Sequence, residues 1–370
     1  MSERKPGLFG LKKSNRDFTK KENWGKNQFN SSFPAALACY MESKGIEPVY
    51  LYLDKVQEGL IGDSLKVQHG KINVRDLFGL PPHVSMEDVY FEFEGLFAPH
   101  SHFEREGSEP PRNDLVIRNE EGTEYYRGLE VKLTTIPDHT THELDEEHYG
   151  CELVIRSVTI VHLAITIAEI YENNREELYN ILNPITQNIN NWLDEPTLIN
   201  LLPNMINAIN TILINNLDKQ EPLILNPIWK TNGKSSALSD YCLDIFVWSN
   251  FALTRLFIDS IKVNRTFIDR YSRSLVWLIR LLDEFAKRGK MDYRKIYGMP
   301  FNSQTDKAFA VSGKKTHPYM ACAELTKPRI RREEIGNIIL NDGQLLLSPE
   351  RRFDAAIVYS PDIFENQQER

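Results

Sequence analysis

The sequence predicts an α/β protein, a mixed sheet flanked by helices and extended by a large helical elaboration, and three observations carry that reading. Asp114-Leu115-Val116-Ile117 and Tyr125 through Ile136 are rich in β-branched and aromatic residues and are separated by a polar turn at Asn119 to Gly122, the pattern of a β-hairpin. From about Arg156 the apolar period becomes helical, with Val158, Val161, Leu163, Ile165, Ala168 and Tyr171. Helical spacing then recurs between residues 180 and 290.

Taken in order, residues 1–32 are polar and basic, rich in Asn, Lys and Ser, and read as an N-terminal arm. Pro34 suits the first turn of a helix over 33–44 that carries Ala35, Ala36, Leu37, Ala38 and Tyr40, and Gly45 stops it. Val49-Tyr50-Leu51-Tyr52-Leu53 follows as a strand. Lys71 to Phe97 mixes short apolar pieces with Pro81-Pro82, and its acidic segment, Glu87 to Glu94, reads as a short helix. After the hairpin and the helix that opens near Arg156 comes a charged exit, Asn173 to Glu177. Residues 180–216 hold eleven Asn, yet Leu198, Leu201, Leu202, Met205, Ile209, Ile212 and Leu213 recur at helical spacing and make the segment helix. Residues 236–262 and 264–288 read as two more helices, the second with Phe267, Tyr271, Leu275, Leu278, Leu282 and Phe285 on one face and Arg273, Arg280 and Lys287 on another. Past Gly298 the pattern breaks up, and Ala355 to Tyr359 reads as a late strand. The chain thus divides into a basic arm (1–32), a core holding the hairpin (33–178), a helical region (179–298) and a mixed C-terminal region (299–370) that packs on the core.

Composition excludes more than it identifies. With 370 residues, 41% apolar and 26% charged, the chain is long enough to bury its own core without disulfide or metal staples. Its 44 basic and 52 acidic residues give a formal charge of −8, which speaks against a general polyanion binder but leaves room for a local basic cleft. Charge is uneven: residues 1–26 carry eight Lys or Arg and three acids, residues 255–295 carry eleven and five, and 138–152 carry six acids and neither Lys nor Arg. Cys39, Cys151, Cys242 and Cys322 are far apart with no CxxC pair, as in reduced intracellular thiols. The most apolar stretch, Leu153 to Ile170, is interrupted by Arg156, His162 and Glu169, too costly a set for an unaided membrane span. The N-terminus has no secretory apolar core, so the expectation is a cytoplasmic protein without a membrane partner.

Missing motifs narrow the chemistry. There is no GxGxxG, and Gly233-Lys234-Ser235 has Ile228 where a phosphate loop needs its first glycine. No GxSxG elbow occurs, and His142-Glu143 is followed by His148, six residues from His142 instead of four. What remains is Asp114, followed sixteen residues later by Glu130-Val131-Lys132. A strand alternates its side chains, so Glu130 and Lys132 share a face, and the preceding strand can bring Asp114 beside them. Two carboxylates and one amine suit phosphodiester hydrolysis: the hard oxygens hold Mg²⁺, and the lysine orients or deprotonates water and stabilises the crowded phosphorane charge. The other ExK tripeptide, Glu42-Ser43-Lys44, closes a helix, where residues two apart diverge by roughly 200°. Spacing alone equally admits a solvent-facing cross-strand salt bridge at Glu130-Val131-Lys132. Register decides between them. A tight turn at Asn119 to Gly122 puts Asp114 opposite Arg127, whereas a looser connection of about seven residues moves it nearly opposite Glu130.

Asn113-Asp114 before an apolar strand, with Leu129-Glu130-Val131-Lys132-Leu133 on the return strand, resembles the PD-(D/E)xK nuclease core, with Asn113 where a proline is usual. More specifically, the run Trp24-Gly25-Lys26-Asn27-Gln28-Phe29-Asn30-Ser31-Ser32-Phe33-Pro34, with Gly128 to Asp138 and Tyr149-Gly150-Cys151-Glu152-Leu153-Val154, resembles the HindVP-type family of type II restriction endonucleases. The likeness extends over most of the chain. It implies a Mg²⁺-dependent, sequence-specific cutter of double-stranded DNA that leaves 5′-phosphate ends. It further implies a homodimer acting on a short, G/C-rich palindrome, with a methyltransferase protecting the host. By the same resemblance Asp114 and Glu130 are metal-binding acids, Val131 contributes its backbone carbonyl, Lys132 is the catalytic lysine, and Glu92 or Glu94 is a further acid on the core's first helix.

Three other readings stand beside this one. A noncatalytic DNA-binding or scaffold protein would carry the ExK as a surface salt bridge. His139, His142, His148 and Cys151 have zinc-compatible side chains within thirteen residues, though without paired knuckles, and the acids among them read as a solvated loop. Arg273, Arg329, Arg331 and Arg332 are candidates to reach base edges from the helical and C-terminal regions, and the basic face with Arg280 and Lys287 is a candidate channel lining.

Overall fold

Alternation, not helical period, governs residues 89–95: Val89, Phe91 and Phe93 are buried while Tyr90, Glu92 and Glu94 are more open. The computed structural model describes residues 11, 13–16, 35, 38–39, 41–55, 65–105, 110–131, 153–219, 222–231, 238–259, 261, 263, 266–299, 301, 307–311 and 330–331. Its strands are β1 (Val49–Lys55), β2 (Leu65–Lys71), β3 (Tyr90–Gly95), β4 (Asn113–Arg118), β5 (Tyr125–Val131), β6 (Leu153–Arg156), β7 (Pro222–Thr231), β8 (Leu238–Ser249), β9 (Lys307–Val311) and β10 (Ile330–Arg331). The longer helices are α1 (Ser157–Ile170), α2 (Arg175–Thr186), α3 (Glu195–Asn215), α4 (Asn250–Asp259) and α5 (Arg270–Arg288).

The main sheet runs β2-β1-β8-β7-β5-β4-β3, with β10 added on β8, while β6 and β9 form a two-stranded sheet. Pairings β1·β8 and β5·β7 are parallel and the remainder antiparallel, so the expected mixed α/β architecture holds. The helical expectation at 33–44 agrees with the described residues Ala35, Ala38, Cys39 and Met41–Ser43.

Two expectations fail. The acidic segment ending at Glu94 is not a short helix: residues 90–95 are β3, because its aromatic residues alternate with acids and match a sheet with one buried face. Within the helix expected over 236–262, Leu238–Ser249 is instead β8 and Asn250–Asp259 is helical. Tyr241, Ile245, Phe246, Val247 and Trp248 are residues of high strand propensity, and the parallel pairing of β7 with β5 draws the β7–β8 hairpin into the sheet from within the region read as helical. The late strand at 355–359 lies outside the described residues.

Helices cover the sheet. In α1 nearly every residue from Thr159 to Ala168 is buried, as befits a helix packed between sheet and helices. α5 is capped by Asp269, whose side chain accepts from the Ser272 amide at 2.8 Å, and it stops at Gly289 in the left-handed region at φ +71°. Its apolar residues join those of α1, α2, α3 and α4 in one core, so they are core and not a free face for a partner. Burial withdraws Arg273 of α5 from the expected channel lining. Arg273 is 1% exposed and stacks on Trp277 at 4.5 Å, Arg280 reaches the Lys295 carbonyl, and Lys287 pairs with Asp283 at 2.9 Å. By length and composition α3 could cross a membrane, but half of that stretch is buried inside the fold, as in a core helix.

Candidate active site

The β4–β5 hairpin turns through a wider loop than the tight alternative. Arg118 pairs with Tyr125 after a bulge, and Asn119 closes the loop: its amide donates to the Glu124 carbonyl at 3.0 Å, and its Oδ1 accepts from the amides of Thr123 and Glu124 at 2.9 and 3.1 Å. Gly122 supplies a left-handed residue at φ +72°. Beyond the bulge Ile117 faces Arg127, Val116 faces Gly128 and Leu115 faces Leu129. Continuing that register by one residue sets Asp114 opposite Glu130, the looser of the two arrangements.

On the other side of β4, Phe93 faces Leu115 and Gly95 faces Asn113, so Glu94 stands opposite Asp114. Three acids therefore occupy one row across three adjacent strands. Gly128 is needed beside them, since a Cβ there would sit 3.0 Å from Phe97 and 3.1 Å from the buried Asn113 side chain.

Each acid is held differently. Asp114 Oδ2 accepts from the Val131 amide at 2.8 Å, where the backbone ladder of β4 and β5 has ended. A strand turns a residue's N–H and C=O to the same side, so the Val131 carbonyl is directed toward β4 as well. Glu130 is 2% exposed; Thr159 of α1 donates to its Oε1 at 3.1 Å, and His162 Nε2 stands 3.5 Å from its Oε2. Glu92 points its carboxylate to Arg118, Nε to Oε2 at 2.6 Å. Glu94 has a positive φ of 53° and an exposed carboxylate 3.4 Å from the guanidinium of Arg16. Burial pulls the Arg16 pKa down from its ordinary value, and the charges of Glu94 and Asp114 push it back up.

Lys132 and the cluster His139, His142, His148 and Cys151 lie outside the described residues, as do Arg329 and Arg332. Three residues at the site went unread in the sequence: Arg16, Thr159 and His162. The last two left a signal, because polar side chains three apart on an otherwise apolar helix share a face and need a buried partner.

The family model described as HindVP restriction endonuclease matches residues 24–364. The chain belongs to the HindVP restriction endonuclease family. Over 362 residues, 97% of each chain, it is 44% identical to the type II restriction enzyme HgiDI of Herpetosiphon aurantiacus. Over 365 residues, 97% of this chain and 95% of the relative, it is 39% identical to the probable type II restriction enzyme HindVP of Haemophilus influenzae. No solved structure matches. The endonuclease is thus a type II site-specific deoxyribonuclease, as the resemblance implied, and the alternative of a noncatalytic DNA-binding or scaffold protein is overturned.

Proposed function

We propose that this endonuclease cuts double-stranded DNA with a PD-(D/E)xK-type site on the β4–β5 hairpin. In that site Asp114 and Glu130 are the acidic ligands of Mg²⁺, the Val131 carbonyl is a further donor and Lys132 is the catalytic lysine. The observation that carries the reading is the register that sets Asp114 opposite Glu130, with the Asp114 carboxylate tied to the Val131 amide. The donors fit a hard cation, being two carboxylates and a carbonyl. Among the described residues no three His, Cys, Asp or Glu side chains are gathered to hold an ion, which leaves the remaining positions to water and phosphate oxygens. When bound, the cation lowers the pKa of a coordinated water and stabilises charge on the phosphate.

The chain's own residues do the positioning. Thr159 and His162 hold Glu130 from the helix side, and the Val131 amide fixes one oxygen of Asp114. In this reading the Lys132 ammonium orients water and neutralises charge on the pentacoordinate phosphorus. Glu92 pairs with Arg118 and Glu94 with Arg16, so either would have to leave its arginine to serve as a further acid.

The product is a double-strand break with 5′-phosphate ends at a short, G/C-rich palindrome. Two copies of the chain act on it, because one site per chain supplies the chemistry for one strand and a two-fold axis matches that of the DNA. A methyltransferase of the same target protects host DNA, and the pair works in the cytoplasm. We keep residues 1–32 as an arm, 33–178 as the catalytic core, 179–298 as the elaboration and 299–370 as a candidate DNA-contacting region. Incubation of unmethylated plasmid DNAs with the protein and Mg²⁺ should give discrete fragments that disappear with EDTA, and light scattering of the protein on its duplex should report two chains. No cleavage with Mg²⁺ or Mn²⁺ on several such DNAs would overturn the metal-dependent reading, and a monomeric complex that severs both strands would overturn the dimer.

A further inference from the structure

Residues 13–16 precede the segment that the family model matches, yet they are bonded to the edge of the site. Ser14 bridges Phe91 in the parallel sense; the Phe91 amide donates to the Lys13 carbonyl at 3.0 Å and the Asn15 amide to the Phe91 carbonyl at 3.3 Å. The Asn15 side chain mimics a further strand residue, accepting from the Phe93 amide at 2.9 Å and donating to the Phe93 carbonyl at 3.0 Å. The arm thereby covers the open edge of β3 and delivers the next residue, Arg16, to the end of the strand. Its side chain is 7% exposed, with the guanidinium 4.7 Å from the Phe93 ring centre and 3.4 Å from Glu94 Oε1.

We infer that Arg16 is the built-in counter-cation of the Glu94–Asp114–Glu130 row, holding these acids together in the metal-free protein and opposing a divalent cation that binds there. Carboxylates opposed on adjacent strands repel, and a partly buried cation relieves that repulsion more strongly than a solvated one. The left-handed backbone at Glu94 is a conformation that needs support from its surroundings, and the Arg112 side chain donating to the Glu94 carbonyl at 3.0 Å, with Arg16 on the carboxylate, provides it. The same charge that neutralises the row in the absence of metal must repel a metal ion beside Asp114. The inference rests on the proposal that Asp114 and Glu130 are metal ligands.

The test uses the full chain without DNA and Ca²⁺ alone as the probe. Arg16→Met keeps the stem that covers Phe93 and removes the charge, whereas Arg16→Lys keeps the charge. By calorimetric titration Arg16→Met should bind Ca²⁺ at least about tenfold more tightly than the unsubstituted protein, the size expected for removing one charge about 6 Å from a divalent ion even at a water-like dielectric of about 80. Arg16→Lys should stay close to the unsubstituted protein. Thermal unfolding gives a second readout for weak binding: Arg16→Met should be less stable in EDTA and gain more from Ca²⁺. Equal or weaker Ca²⁺ binding by Arg16→Met, with an equal gain in stability, would overturn the inference. If Asp114→Ala binds Ca²⁺ as well as the unsubstituted protein does, the ligand assignment fails first and takes the inference with it.

Discussion

The Asp114 carboxylate accepts the Val131 amide at 2.8 Å, so a side chain takes over where the backbone ladder between β4 and β5 stops. The amide that a regular ladder would offer to the β4 backbone instead orients an acid, and the Val131 carbonyl lies on the same side of β5. One residue of the ladder is thus exchanged for a fixed carboxylate at the end of the hairpin.

Loss of either acid should separate chemistry from binding. Asp114→Ala, Glu130→Ala and Lys132→Ala should each lower single-turnover cleavage by on the order of 10³-fold or more. Specific binding should persist in a gel-shift assay, because most contacts to DNA go to phosphates and base edges elsewhere. A variant that keeps more than about a tenth of the cleavage rate would show that its residue is not at the reacting centre.

Thr159→Val should destabilise the fold by about 1–3 kcal/mol, because it leaves a buried carboxylate oxygen of Glu130 without its hydroxyl donor. Thr159→Ser should recover most of the loss. Urea unfolding of both variants measures this, and an unchanged midpoint for Thr159→Val would mean that the hydroxyl is not needed to hold Glu130.

The loop that sets the register can be tested at Asn119. Asn119→Ala removes the acceptor for the amides of Thr123 and Glu124 and should cost about 0.5–1.5 kcal/mol for each bond. Cleavage should fall by more than stability alone explains, because Asp114 would lose its setting opposite Glu130. Full activity at temperatures where the variant is folded would argue that the register does not depend on this loop.

Stability should decline in alkali through Cys39. Burial pushes its thiol up from 9.0 to about 12. Between those values the unfolded chain has lost the proton and the folded chain keeps it, so folding takes up a proton and stability falls as pH rises. Below pH 9 the contribution is fully present. Cys39→Ala should flatten part of this decline in unfolding measured from pH 8 to 11. A profile identical to that of the unsubstituted protein would show that Cys39 does not titrate in this window.

Local sequence alone determined the hairpin, the helix after Arg156 and the helical character of residues 195–215, because strand alternation and helical period are written in neighbouring residues. Longer-range structure decided the rest. Residues 238–249 carry enough apolar and aromatic residues to serve as helix or strand, and pairing with the neighbouring β7 and with β1, far off in the chain, makes them strand. The segment at 90–95 was misread for a related reason: its acids suggested a solvated helix, while its partner β4 selects the alternating pattern. Arg273 looked like part of a basic surface, but packing by α1 and α2 against α5 leaves it 1% exposed. Whether Asp114 meets Glu130 depended on a bulge and a six-residue connection, which spacing along the chain does not specify. That Arg16, Thr159 and His162 belong beside them is a matter of docking between segments 29 to 78 residues apart in sequence, which no local pattern encodes.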